Sequence, residues 1–348
     1  MSPRCVRTIL GVLASASALF AAHTAYIEEP ADVVAARAFL AALEPAQREH
    51  ATFDLDAPER LDWHFVPRAR PGVRLDALSG EADAAFDALL ASALTAQGVG
   101  RVEFVVELER ILRERESRPE RPATWRDPGA YVVVVFGEPH TREPWGWRLE
   151  GHHLSLTFTR VGDALAVTPA FLGANPARVS SDTDLDLRLL GAEEDLAREL
   201  VRSLDAEQLA LALADERAPA DIAYTPERRE RLAATTGIAG AQLDDAQRAL
   251  LERLLDTWLA SWHPATAAAA RERLGPVEGL RLTWMGGLGP GEPHYWRIDG
   301  AHAVVEWDDV QDGANHVHCV WRDLERDHGR DLLAEHRRGA HGEPLSDD

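Results

Sequence analysis

Apolar residues recur at helical spacing over residues 36–47 (ARAFLAALEPAQ) and again over 197–208 (ARELVRSLDAEQ), and both runs break at the same place. Pro45 suits the first position of a new helix, and Asp205 suits an N-cap at the position matching Glu44. Each half of the chain is therefore predicted to open with a helix, a tight turn and a second helix. Ser79 and Asp244 are equivalent caps before long amphipathic runs, and Gln247 stands three residues after Asp244 as in a capping box. Shorter apolar segments then predict strands at 131–136, 145–150, 152–159 and 164–168 in the first half. In the second half they predict strands at 280–285, 294–299, 302–307 and 316–321.

The strand regions carry the clearest internal match. EPWGWRLEGHH (143–153) aligns with EPHYWRIDGAH (292–302), placing Trp147 against Trp296. The loop at 114–128 (ERESRPERPATWRDP) reads as an insertion in the first half, because the offset between the halves shortens after it. The expected fold class is α+β: two tandem pseudo-symmetric repeats, each with helices followed by a small antiparallel sheet. The sheets are expected to meet near a pseudo-two-fold axis with the helices outside. The expected division is a signal segment 1–25, repeat units 31–180 and 190–336, and a polar tail 337–348.

Composition changes this picture at three points. Hydrophobic residues make up 45% and charged residues 27%, an ordinary globular balance. The formal net charge of −21 and the lack of a basic stripe argue against nucleic acid as a partner. Arg4 and Arg7 precede the apolar run 9–22, the pattern of an export signal, with an uncleaved N-terminal anchor as the alternative. The protein is therefore expected to be periplasmic or extracellular, with no other membrane-spanning segment. Cys5 lies in that segment and Cys319 stands alone between valines of an apolar strand, where it reads as a small buried hydrophobe.

Candidate chemistry gathers on histidine. His316 and His318 flank Val317 in a predicted strand and so point the same way, about 7 Å apart, as two ligands of one ion would. His153 shares a face with Ser155 and Thr157, while His152 falls with Leu154 and Leu156 on the apolar face. The second copy replaces these by His302, Val304 and Glu306, so the scaffold is symmetric and the polar residues are not. His152, His153, Glu306, His316 and His318 are taken together as candidate metal ligands. A core histidine at His152, and an ion pair of Glu306 with Arg148, Arg297 or Arg322, are the structural alternatives. Trp145, Trp147, Trp284, Trp296, Trp307 and Trp321 read first as core and second as a platform for a saccharide-like or other small-molecule ligand. The glycines of 286–291 read as a hairpin loop, and no serine-hydrolase elbow, zinc-protease helix or phosphate-binding loop is present.

The residues named so far, with Phe136-Gly137-Glu138-Pro139, Pro169 and Phe171, Gly173-Ala174-Asn175-Pro176 and Ala314-Asn315-His316-Val317-His318, carry a resemblance. They continue through Val320-Trp321-Arg322-Asp323, Asp327, Gly329, Asp331-Leu332-Leu333 and His336. The chain resembles the bacterial and fungal family catalogued as domain of unknown function 3500, from about residue 35 to 336. The resemblance implies that both histidine clusters, Glu306 and the Arg322-Asp323 pair belong to a family pattern, and it carries no activity. His328 departs from it, where an aromatic residue is expected.

Two functions follow, with metal buffering or sensing by a closed ligand set as a third possibility. One is an exported metal-dependent hydrolase or oxidoreductase with zinc, iron or copper on the histidines, no organic cofactor, and Asp323 or His336 as acid–base partner. The other is a non-enzymatic ligand-binding module whose histidines are structural.

Overall fold

A computed structural model of the chain describes residues 29–120, 126–180, 186–228 and 230–338. The signal segment expected at 1–25, part of the loop at 114–128 and most of the tail at 337–348 lie outside the described residues. The first half runs α1 (Ala31–Ala42), α2 (Pro45–Ala51), β1 (Thr52–Phe53), β2 (Val73–Arg74), α3 (Gly80–Ala93) and α4 (Ala96–Glu116). It continues through β3 (Val132–Phe136), β4 (Trp145–Gly151), β5 (Leu154–Val161) and β6 (Ala164–Ala174), then the small hairpin β7 (Arg178–Ser180) and β8 (Asp186–Arg188). The second half runs α5 (Gly191–Ser203), α6 (Ala206–Ala212), β9 (Leu213–Asp215), β10 (Ile238–Ala239), α7 (Asp245–Leu259) and α8 (Pro264–Leu274). It ends with β11 (Arg281–Gly286), β12 (His294–Asp299), β13 (Val304–Asp309), β14 (Val317–Arg322) and α9 (Arg330–His336).

The helix starts follow their sequence signals. Asp205 and Gln208 form a capping box at α6, and Asp244 and Gln247 form another at α7, where the Gln247 N–H donates to Asp244 Oδ1 at 2.8 Å. Pro45 occupies the first turn of α2, where its missing N–H costs no helical bond.

The sheets differ from the expectation. Twelve strands form one mixed sheet in the order β1-β3-β4-β5-β6-β14-β13-β12-β11-β10, with β2 also on β3 and β9 also on β11. β6 was expected to end at Thr168, yet it continues past Pro169 to Ala174. Its last residues, Ala170–Ala174, pair antiparallel with Val317–Trp321 of β14. The proline is tolerated because the ladder to β5 shifts register there, between Leu156 and Phe158. That extension turns two expected small sheets into one. β1 and β9 run parallel to β3 and β11, so the sheet is mixed.

Each face of the sheet has its own cover. On one face the helices bury Phe39, Leu89, Leu254 and Trp258 against Trp147, Trp296, Trp307 and Cys319. All six strand tryptophans are at most 3% exposed, so they are core and offer no open platform for a sugar. The opposite face is covered by the connections at 54–72 and 216–237. Trp63, Phe65, Ile222 and Tyr224 pack there on Phe171, Val304 and Val320. This face also buries polar side chains, which pair locally: Arg148 with Glu150 and, at the matching place, Arg297 with Asp299, each at 2.8 Å. No helix among the described residues is long and apolar enough to cross a membrane.

Phe171 couples the central ladder to this cover, its ring stacked 4.0 Å from that of Phe65. Phe171→Ala is expected to lower unfolding stability by about 3–5 kcal/mol in urea denaturation. A loss below about 1 kcal/mol would show that the connection at 54–72 is not packed on the sheet.

Candidate metal centre

The β6–β14 junction brings one row of residues side by side. His318 pairs with Gly173 on one flank and Asp308 on the other, and the Gly173 N–H donates to the His153 carbonyl at 2.8 Å. Gly173 leaves room for the His318 ring: a Cβ there would meet the Val317 carbonyl oxygen at 2.9 Å and His318 Cδ2 at 3.1 Å. His153 lies in the two-residue turn between β4 and β5 with φ of 61°, a left-handed conformation uncommon for a side-chain-bearing residue. The Phe65 carbonyl accepts its N–H at 2.9 Å. The turn therefore aims the His153 ring across the junction at β14.

Three imidazoles converge there. His153 Nε2 and His316 Nε2 are 2.8 Å apart, and each of His153, His316 and His318 offers a ring nitrogen within 4.8 Å of the others. A tetrahedral ion with nitrogens at about 2.0–2.1 Å separates its ligands by about 3.3 Å, so shifts of about 1 Å would close the set. His153 and His318 are buried and His316 is partly open. Burial, reinforced by the neighbouring histidines, pulls His153 well below the ordinary imidazole range. Burial and the charge of His318 bring His316 down to about 4. Both are thus neutral at pH 7, the form that binds a metal.

Carboxylates stand behind the histidines. His318 Nδ1 is 2.9 Å from Asp221 Oδ1 and 3.8 Å from Asp308 Oδ2. A carboxylate on the far nitrogen fixes the ring and its tautomer, as outer-sphere partners of metal-bound histidines do. Burial, with the charges of Asp221, Glu306 and Asp309, pushes the Asp308 carboxyl well above the usual range. Asp309 accepts the His316 N–H at 2.8 Å, and Asn175 Nδ2 lies 3.2 Å from His316 Nδ1.

The remaining candidates are placed elsewhere. His152 stacks on His153 at 3.8 Å, but its nitrogens face Glu109 at 2.6 Å and Arg126 at 2.9 and 3.0 Å; it buttresses the ligand turn. Glu306 is corrected as a ligand. It lies two residues beyond Asp308, about 7 Å along β13. Its oxygens accept from the Ala223 and Tyr224 N–H groups at 2.7 and 2.8 Å and from the Tyr295 hydroxyl at 2.5 Å. It anchors the connection at 216–237. Asp323 follows the far end of β14, about 17 Å along the strand from His318, and is held by Arg273 at 2.5 and 2.9 Å. His336 faces Glu143 at 3.4 Å, beyond the end of β4 opposite the histidine turn. Neither can exchange a proton with a group at the histidines. Asp221 and Asp308 went unnoticed in the sequence. Asp308 had a signal, its two-residue spacing from Glu306 in an apolar strand; Asp221 sits in an irregular connection and had none.

Fold and site define an α+β protein with one mixed sheet and a three-histidine cluster at its centre. A family model described as a protein of unknown function (DUF3500) matches residues 28–330, and the chain belongs to that family. No curated protein and no solved structure matches it.

Glu306→Gln is expected to reduce stability by about 1.5–3 kcal/mol, since an amide cannot satisfy all three donors. Metal content should stay at the wild-type level; a drop would return Glu306 to the ligand set. Between pH 6.5 and 4, unfolded His316 takes a proton that the folded chain refuses, so its contribution to stability falls as pH drops through that window. Asp309, raised to about 6, acts with opposite sign, because its folded form keeps a proton that the unfolded form releases. The measurement is therefore a difference. His316→Gln should show a shallower acid-side loss of stability than wild type, and parallel profiles would contradict the assigned shift.

Proposed function

We propose that the protein is an exported metal-dependent enzyme, a hydrolase or oxidoreductase, with an ion held by His153, His316 and His318. The observation that carries this is the convergence of imidazoles from positions up to 165 residues apart in the chain, His153 against His316 and His318. Three protein nitrogens, with no fourth ligand grouped with them among the described residues, is the donor count of catalytic sites, which leave one position for water or substrate. Such an ion lowers the pKa of a bound water or handles oxygen chemistry, and imidazole suits zinc, iron or copper. Asp221, about two-fifths exposed and 2.9 Å from His318 Nδ1, is a solvent-reachable proton-handling group beside the site in this reading.

Two further parts belong to the proposal. The halves 31–180 and 190–336 are copies of one unit related by a two-fold axis through the β6–β14 ladder. The mirrored strand order and the matching Arg148–Glu150 and Arg297–Asp299 pairs support this. Export rests on the basic-then-apolar start of the sequence.

A second reading is favoured by one distance. At 2.8 Å the His153 and His316 nitrogens also suit a hydrogen bond between neutral rings, which would make the cluster the structural element of a non-enzymatic module.

Elemental analysis of protein purified without a histidine tag separates the two. His153→Ala and His316→Ala should each carry about one ion fewer per chain than wild type. Equal metal content in all three would remove the metal centre and leave the hydrogen-bonded cluster.

A further inference from the structure

Asp308 stands apart from the other buried acids. Its residue is 0% exposed, and among the described residues no N–H or hydroxyl donates to either carboxylate oxygen; the Asp221 carboxyl is the neighbour with which it can share a hydrogen. No arginine among those residues lies within ion-pair distance; only His318 does, at 3.8 Å. Its acidic neighbours Glu306 and Asp309 are occupied, one by three donors and the other by the His316 N–H. Asp221 is different. It reaches the same side of His318 from the connection at 216–237, and its side chain is 40% exposed. One oxygen each of Asp221 and Asp308 and a nitrogen of His318 lie within 4.8 Å of one another.

Two adjacent carboxylates repel, and a buried one with no donor is strongly disfavoured in its charged form. A proton or a cation between them removes both penalties. The donor set matches the cation: two carboxylate oxygens and one imidazole nitrogen suit manganese, iron or zinc in the divalent state. The exposed edge of Asp221 opens the group to solvent, so an ion can enter.

We propose that Asp221, Asp308 and the Nδ1 side of His318 form a second cation subsite, sharing the His318 ring with the three-histidine centre. The proposal extends the three-histidine reading, and the two can fail separately. When ions sit on both sides of the ring, His318 bridges them as an imidazolate. The ring proton displaced from Nδ1 and the carboxyl proton displaced from between Asp221 and Asp308 pass to water, and no electron is transferred. The fully loaded protein then carries two ions, one on imidazoles and one mainly on carboxylates.

The test is equilibrium dialysis of the full chain against Zn²⁺ after chelator treatment, with bound zinc counted by elemental analysis. Wild type is expected to bind two equivalents, and Asp308→Asn, Asp221→Asn and His316→Ala one each. Asp221→Asn alters a partly exposed residue and preserves the test if Asp308→Asn does not fold. One equivalent in wild type and in both aspartate variants, with none in His316→Ala, overturns the subsite and leaves the histidine centre. One equivalent in wild type that is lost in the aspartate variants but kept in His316→Ala supports the subsite and removes the histidine centre. No zinc bound by wild type overturns both.

Discussion

The antiparallel ladder between β6 and β14 is the contact on which the candidate centre depends. It joins Ala170–Ala174 to Val317–Trp321, and so fixes Gly173 beside His318. Because side chains alternate along a strand, a one-residue slip of β14 would turn His318 and Val320 to the helical face and put Cys319 in among the connections. Burial on both faces makes such a slip prohibitive. Cys319 and Leu172 pack with the helices, while Phe171 and Val320 pack under the connections at 54–72 and 216–237. The histidines inherit their positions from this two-sided core.

Around the ladder, the connection-covered face handles charge by local pairing. Arg148 meets Glu150, Arg70 meets the same Glu150 at 2.6 Å, and Arg322 meets Asp327 at 2.7 Å. Glu306 is satisfied by two backbone donors and a phenol, so its burial serves to pin an irregular segment. These networks rigidify the sheet. Against that background the carboxyl of Asp308 stands out, since neither of its oxygens meets an N–H or hydroxyl donor among the described residues.

Much of the fold was legible in the chain. The paired helix breaks at Pro45 and Asp205, the cap at Asp244 and the eight main strands all arise from short-range periodicity and cap chemistry. The union of the sheets was not. Pro169 signals a strand end, and only the register shift opposite Leu156 and Phe158 lets β6 continue beyond it. The tryptophans could be read as core or platform, because hydrophobicity says that a ring will be covered and leaves open whether protein or ligand covers it.

The same division runs through the candidate centre. Spacing alone placed His316 and His318 on one side of a strand, and the paired histidines after Gly151 marked His153, which the second half matches with His302; both are local features of the sequence. Glu306 had the same local pattern, yet its oxygens went to the backbone of a distant connection, and His152 went to Glu109 on a helix. Asp221 entered from that connection with no periodicity to announce it. Partners 43 to 163 residues apart are chosen by strand register and by which loop covers which face. Those are properties of the packed sheet, and no window of sequence contains them.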